Sequence, residues 1–490
     1  MTPPTLTFEL LLVASICLSG AFTAIWAGAR PSHIWLLSAP FGLLGWVVLG
    51  STMQMVGLSG LLPSLPLSSI AISATLASHR ALKQPRVLLH AIGPALVVCG
   101  ILALGYGAIL DVTHYKHVDT LEYLTIGAMI YEGSFLEGVS LYQLQKRQLS
   151  MPLLHLLANA KDAYYLNLIH PLITLSVLAS MSWVLLASRL SELSRVGTLF
   201  AVGIALLAML TTNRFVMHTF YLNGHMLAGL EILLIAGAGW LLATGAQIRH
   251  RLLFVTQTLA AGALIVTRPE GFLLAALAIA PTLLGTAASS RYRFALALAA
   301  GTAIAAWHAY LSGVAITMGR WPRPTMLMPL IFGLGLIGSA GLTLIRKDLD
   351  TAWRILDSWI EPLLWIALAG LATLNSDIFM SSLYATATNI RVYWGNVVWI
   401  LALSVITFAI LCRGGELRYL RFVVTSYLPA VFILSFLRDG AYRVGGGDSL
   451  NRMWISIFPL AIMYLTVAAV TLGARGGASP RTTPNSHTVS

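Results

Sequence analysis

Charge is scarce in this chain, and cysteine is scarcer. Only 10 % of its 490 residues are Asp, Glu, Lys or Arg, and three are Cys. Soluble domains carry about 25 % charged residues, so a water-facing globular surface is excluded over most of the length. Cys17, Cys99 and Cys412 each sit inside an apolar run. That placement excludes a disulfide framework and a cysteine metal site, and makes them small buried hydrophobes. The period-two alternation of a membrane barrel is missing. So is an internal repeat between the halves, and so is any polar stretch long enough for a separate soluble domain. The first apolar run lacks a basic n-region and a small-residue cleavage site, which predicts a retained span and not a signal peptide.

What the chain has is hydrocarbon: 57 % hydrophobic residues and a mean hydropathy of +0.81. Runs near the roughly 20 residues needed to cross a bilayer core occur at 6–28, 34–57, 61–78, 87–110, 164–188, 197–213, 226–245, 252–267, 272–289, 294–313, 326–345, 360–374, 396–412, 423–437 and 453–473. Such runs must be helices, because lipid satisfies no backbone polar group. The fold class is therefore all-α, a polytopic transmembrane bundle of about 13–15 spans.

The basic residues set its orientation. With the N-terminus outside, one side takes Arg30, Arg80, Lys83, Arg86, Arg189, Arg195, Arg249, Arg251, Arg291, Arg293, Arg346, Lys347, Arg354, Arg413, Arg418, Arg421, Arg475 and Arg481. Those 18 basic residues face six acidic ones, a surplus equal to the whole formal charge of +12. The positive-inside rule makes that side cytoplasmic. The basic balance thus reports orientation and implies no nucleic-acid partner; the runs 80–86 and 413–421 are too short and dispersed for one. The tail 474–490 reads as disordered and cytoplasmic.

The largest non-membrane segment, 111–163, then lies outside. It opens with Asp111, His114, His117, Asp119 and Glu122 within twelve residues. Carboxylates beside a bilayer are costly, and by default mark a functional site. The same residues could instead be ordinary polar loop residues, and Asp119 could be a helix cap. Asp111, His114, His117 and Asp119 could also ligate a divalent cation. The apolar positions 121, 124, 126 and 128–130 predict a short amphipathic helix lying in the interface, stopped at Gly133.

Other outer loops add cations and rings. The stretch 213–225 supplies Arg214, His218, Tyr221 and His225, and Glu231 follows inside a span. Thr267-Arg-Pro-Glu-Gly271 offers Arg268 and Glu270, either a mutual pair marking a turn or an anion ligand, since the planar Arg fork matches phosphate oxygens. Loops at 320–323 and 389–394 carry Arg320, Arg323 and Arg391 beside interfacial Trp. The last loop, 438–452, holds three consecutive glycines between Arg443, Asp448 and Arg452, a backbone that can approach a ligand closely.

An external site far from cytoplasmic nucleotides needs an activated substrate carried by the membrane itself. A polyprenyl-phosphate sugar fits, with arginines on the phosphate and a carboxylate deprotonating the incoming hydroxyl. The order of motifs resembles the GT-C fold glycosyltransferases. The resemblance rests on Asp119-x-x-x-Tyr123 with Tyr131-Glu-Gly133, then Gly-Leu-Glu231, Thr267-Arg-Pro-Glu-Gly271, and Gly446-Gly-Asp448 with Asn451-Arg452 and Pro459-Leu. It spans about 87–473, and the bacterial arabinofuranosyl- and mannosyltransferases are the most similar branches.

This resemblance implies an inverting transferase of the inner (plasma) membrane whose site faces the periplasm. It implies a module over 79–473 with residues 1–78 as extra N-terminal spans, Asp119 as base, and sometimes a divalent cation. The donor would be a polyprenyl-phosphate-linked sugar from the membrane lipid, and the acceptor a glycan, lipid or protein. Two departures stand out. Residue 120 is Thr where the family often has a second acid, so Asp111 or Glu122 would have to substitute. Three apolar segments also precede 87–110, the span that leads into the first loop. Rival readings are a lipid or glycan transporter or flippase, an O-antigen polymerase or ligase, and a non-enzymatic assembly partner. A transporter predicts midplane ionisable residues and a repeat, and a polymerase predicts a large late loop.

Overall fold

The computed structural model describes residues 6–83, 86–111, 118–161, 163, 165–188, 190, 193–341, 350–395, 397–412, 415–437 and 452–477. Among them there are helices and no strands. In chain order they are α1 (Leu6–Ala27), α2 (Pro31–Met55), α3 (Leu65–Lys83), α4 (Arg86–Asp111), α5 (Val118–Glu132), α6 (Phe135–Gly138), α7 (Leu141–Arg147), α8 (Ser150–His155), α9 (Ile169–Ala187), α10 (Arg195–Leu210) and α11 (Asn213–His218). There follow α12 (His225–Ala243), α13 (His250–Thr267), α14 (Gly271–Leu284), α15 (Ser290–Thr317), α16 (Pro324–Ala340), α17 (Asp350–Leu374), α18 (Ser376–Trp394), α19 (Val397–Leu411), α20 (Arg418–Leu437) and α21 (Phe458–Gly477). Nine of the described segments are long and apolar enough to cross a membrane, and five shorter apolar helices accompany them. The chain is an all-α, multi-pass membrane protein.

Each of the fifteen expected spans coincides with a helix, and the differences lie between them. The 252–267 and 272–289 runs are two separate helices, α13 and α14, joined by Arg268, Pro269 and Glu270. The stretch 389–394, expected as a loop, is the last turn and a half of α18. Its apolar residues are interspersed with Asn, Thr and Ser, which hid the helix from a hydropathy reading. The final helix runs on to Gly477, past the expected end at 473, because nothing in Ala-Arg-Gly-Gly forbids one more turn. The rest of the tail, 478–490, lies outside the described residues.

Helix α12 is the centre of the bundle. It is apolar all round and buried along nearly its whole length, as expected for a helix enclosed by others. It packs against α9, α13, α14, α20 and α21. The first two helices touch closely: a β-carbon at Gly20 would collide with the Ser38 carbonyl, and one at Gly42 with the Ile16 carbonyl. Small residues at such crossings let backbones approach where no hydrophobic force favours association. Gly42→Val must push α1 off α2. We expect it to destabilise the protein by about 1–3 kcal/mol, read as a lower unfolding temperature in detergent. An unchanged midpoint would show that the crossing tolerates bulk.

Helix α5 stops where expected. Gly133 adopts φ +77°, Ser134 N–H donates to the Met129 carbonyl at 3.0 Å, and Gly133 N–H to that of Ile130 at 3.3 Å. This is a glycine C-cap of the Schellman type. Its buried face differs from the expected apolar stripe. Thr120, Tyr123, Ile126, Gly127 and Ile130 are buried, while Leu121 is exposed. The helix packs on protein, not only on lipid: a β-carbon at Gly127 would sit 3.0 Å from the Pro152 carbonyl of α8.

Candidate functional site

Several of the segments expected outside converge at the N-terminal end of α12. Arg214 and His218 come from α11, Tyr221 and Asn223 from the turn after it, His225 from the first position of α12, Arg268 from the C-cap of α13, and Arg452 from just before α21. Arg268, Arg452, His218 and Arg214 all lie within electrostatic range of the His225 imidazole. Three arginines and two histidines, separated by up to 238 positions between Arg214 and Arg452, thus share one small volume. Nearly all are buried: Arg214 is 2 % exposed, His218 0 %, His225 5 % and Arg452 6 %.

Hydrogen bonds set the orientation of each group. Arg452 donates to the Tyr221 hydroxyl and lies over its ring. Arg268 donates from Nε to Glu270 at 2.9 Å and pairs with it through a second nitrogen at 2.8 Å. The mutual-pair reading of this motif therefore holds. The pair marks the α13–α14 turn, and it also fixes the fork so that the remaining nitrogen faces His225 Nε2 at 3.5 Å.

The tautomers follow from the partners. His218 Nδ1 lies 2.8 Å from the Arg214 carbonyl, which can only accept, so Nδ1 carries the proton in the neutral ring. Nε2 is then a lone-pair acceptor, and it is buried without a hydrogen-bond partner among the described residues. For His225 the guanidinium faces Nε2, which leaves the proton on Nδ1, also buried and unpartnered there. Asn223 accepts the His225 N–H at 2.8 Å, while its Nδ2 donors have no described partner. Buried polar groups are normally satisfied. An acceptor and two kinds of donor left open in one place are what a polar ligand would fill. The positive end of α12 adds to the same field.

Burial, then the Arg214 and Arg452 guanidinium groups, push the His218 pKa down from 6.5 to about 3, against the pull of its bond to the Arg214 carbonyl. The native state therefore binds fewer protons than the unfolded chain between these values. Its stabilising contribution is complete above pH 6.5 and is lost as pH falls toward 3, at about 1.4 kcal/mol per pH unit. Thermal unfolding of wild type should shift downward on acidification through this window, and His218→Gln should flatten the shift. Equal pH slopes in the two proteins would contradict a buried neutral His218.

The first turn of α5 adjoins this group. Thr120 Oγ1 donates to the Leu222 carbonyl at 3.1 Å, which places the residue after Asp119 against the 221–225 turn. Tyr123, one turn on, is buried and lies within electrostatic range of Arg268. Glu122 points elsewhere, pairing with Arg147 of α7. It ties α5 to α7, and a role as second acid would require breaking that pair. Arg391 is exposed on α18 and is not drawn into the group. Asp111 and Asp119 belong to described helices, but their side chains lie outside the described residues, as do His114, His117, Arg443 and Asp448 entirely. No group of three metal-ligating residues occurs among the described residues.

Several supporting residues escaped the sequence reading. Ser150 Oγ donates to the Val266 carbonyl at 2.9 Å and meets Thr267 Oγ1 at 2.7 Å. Thr267 Oγ1 also bonds the buried Glu231 at 2.8 Å, and Leu149 N–H bonds Val266 at 3.1 Å. Gln148, the one described non-glycine residue with positive φ (61°), is held there by Trp307 donating to its amide oxygen at 2.7 Å. Such strained backbone persists where surroundings over-determine it. A second carboxylate is also buried in a span: Glu9 of α1 is 1 % exposed and accepts from Asn167 and from Leu168 N–H at 2.8 and 2.7 Å. No family model, curated protein or solved structure matches this chain.

Proposed function

We propose that the protein is a GT-C-like glycosyltransferase that moves a sugar from a polyprenyl-phosphate donor to a glycan, lipid or protein acceptor at the outer face of a bacterial inner membrane. The observation that carries this reading is the meeting of Arg214, Arg268 and Arg452 with His218 and His225 beside the first turn of α5. Arginine forks suit phosphate oxygens. The donor phosphate is a diester that leaves as a monoester, so negative charge grows on it as the glycosidic bond breaks. Fixed guanidinium groups stabilise that charge without reorganising. Asp119, two positions into α5, would take the proton of the acceptor hydroxyl, and inversion would follow from attack opposite the leaving phosphate.

The test is reconstitution in vesicles with polyprenyl-phosphate pentoses and hexoses. Release of polyprenyl phosphate that depends on an added acceptor is the expected result. Donor that crosses the bilayer intact, with its sugar still attached, would replace the transferase by a flippase.

A further inference from the structure

A second basic pocket lies at the other ends of the same helices. α12 enters the outer site at His225 and ends at Ala243, and α13 leaves from His250 and reaches Arg268. About 27 Å of α13 separates the two. At the far end is a cavity of about 180 Å³, bordered by Gly28, Arg30, His33, Arg80, Arg249 and Leu252. Its lining has three arginines, one histidine and no carboxylate.

The pocket is built by the fold. Gly28 ends α1 with φ +94°, and Ala29 N–H closes the cap on the Ala24 carbonyl at 2.9 Å. A β-carbon at Gly28 would press within 2.8 Å of Arg249 Cδ, so glycine there lets the Arg249 stem lie across the turn. Arg80 donates to the Ile25 and Ala29 carbonyls at 2.7 and 2.9 Å, which anchors its charge at the back. Arg30 and Arg249 are exposed at the mouth, and Arg251 stacks on Trp26 at 4.4 Å beside it. No side chain caps the N-terminus of α2, and His33 Nδ1 is buried with no partner among the described residues. Arg249 and Arg251 repel Arg80, and no carboxylate lines the cavity to pair with its arginines.

We infer that this pocket binds an anionic phosphate group at the headgroup level of the membrane, with Arg30 and Arg249 gripping its oxygens and Arg80 behind. Its depth, at the ends of α1, α2 and α13, is where lipid phosphates lie, and basic pockets between spans are suited to anionic headgroups. The ligand chemistry is a phosphate mono- or diester with net negative charge, from a lipid or from free phosphate. The site stands independently of the transferase reading.

The experiment is thermal unfolding of the full chain in nonionic detergent with phosphatidylglycerol, phosphatidylcholine or inorganic phosphate, for wild type and for Arg30→Gln/Arg249→Gln. A ligand of the native state raises its unfolding temperature. Phosphatidylglycerol should stabilise wild type, phosphatidylcholine should not, and the double variant should lose most of the shift, with affinity about 30-fold weaker. A shift reproduced by inorganic phosphate, and lost in the variant, keeps the site and names free phosphate as its ligand. An equal shift in wild type and variant, or no shift with either anion, overturns the proposal. Should the double variant not fold, Arg249→Gln alone is compared by native mass spectrometry. Phosphatidylglycerol retained as in wild type then overturns it.

Discussion

Asp119→Asn is expected to remove sugar transfer, by about 10²–10⁴-fold, while the protein still folds and inserts. The substitution separates the two roles open to this residue. Asp119 is the second residue of α5, near the helix start, where a carboxylate can serve as a cap, and Asn caps about as well as Asp. If capping were its whole role, the variant would keep both stability and turnover. Asn has the same shape but cannot accept a proton at neutral pH, so a general base is lost outright. The Thr120 bond to Leu222 is unaffected and keeps the first turn of α5 in place. The measurement is acceptor-dependent release of polyprenyl phosphate, with the unfolding temperature as control. Near-normal turnover by a folded variant would defeat the assignment.

Arg268 should discriminate by shape as well as by charge. Arg268→Ala takes from Glu270, 4 % exposed, the guanidinium bound at 2.8 Å; breaking a buried ion pair costs up to about 3–5 kcal/mol of stability. Turnover should fall by about 10²–10³-fold through loss of leaving-group stabilisation. Arg268→Lys restores the charge but not the fork, so it cannot hold Glu270 with two nitrogens and present a third toward His225. We expect Lys to recover most of the stability and little of the turnover. Should Lys recover both equally, Arg268 is a structural counter-ion and the phosphate contact belongs to Arg214 and Arg452.

The bundle was legible because lipid imposes one rule, that a spanning segment satisfies its own backbone, and that rule is written in composition. Helix α18 was missed because Ser, Thr and Asn dilute its hydropathy while leaving its helical bonds intact. For the site, side-chain type was enough to pick Arg214, His218, Tyr221, His225, Arg268, Glu270 and Arg452, since buried cations and rings are rare in such a sequence. Their meeting was not readable, because it depends on α11, α12 and α13 ending at one level. Arg147, Gln148, Ser150 and Asn223 gave no signal: each reads as an ordinary polar residue between spans until its partner across the fold is known. The Arg147–Glu122 pair in particular changes how the opening acidic cluster is divided, by giving one of its members a structural partner.

The 148–150 segment has a mechanical consequence. Its hydrogen bonds end on Val266 and Thr267, the two residues before Arg268, while α5 rests on the α8 helix that Ser150 begins. Asp119 and Arg268 are therefore not on two independently moving loops. They are linked through α8 and the 148–150 segment, like the two jaws of a calliper whose arms are riveted near the pivot, so the proposed base and the proposed phosphate clamp would face each other across a set gap. Under the proposed function, an acceptor hydroxyl and a donor phosphate would have to span that gap, and molecules too short or too long to do so would be rejected by measure before any contact reads their sugar.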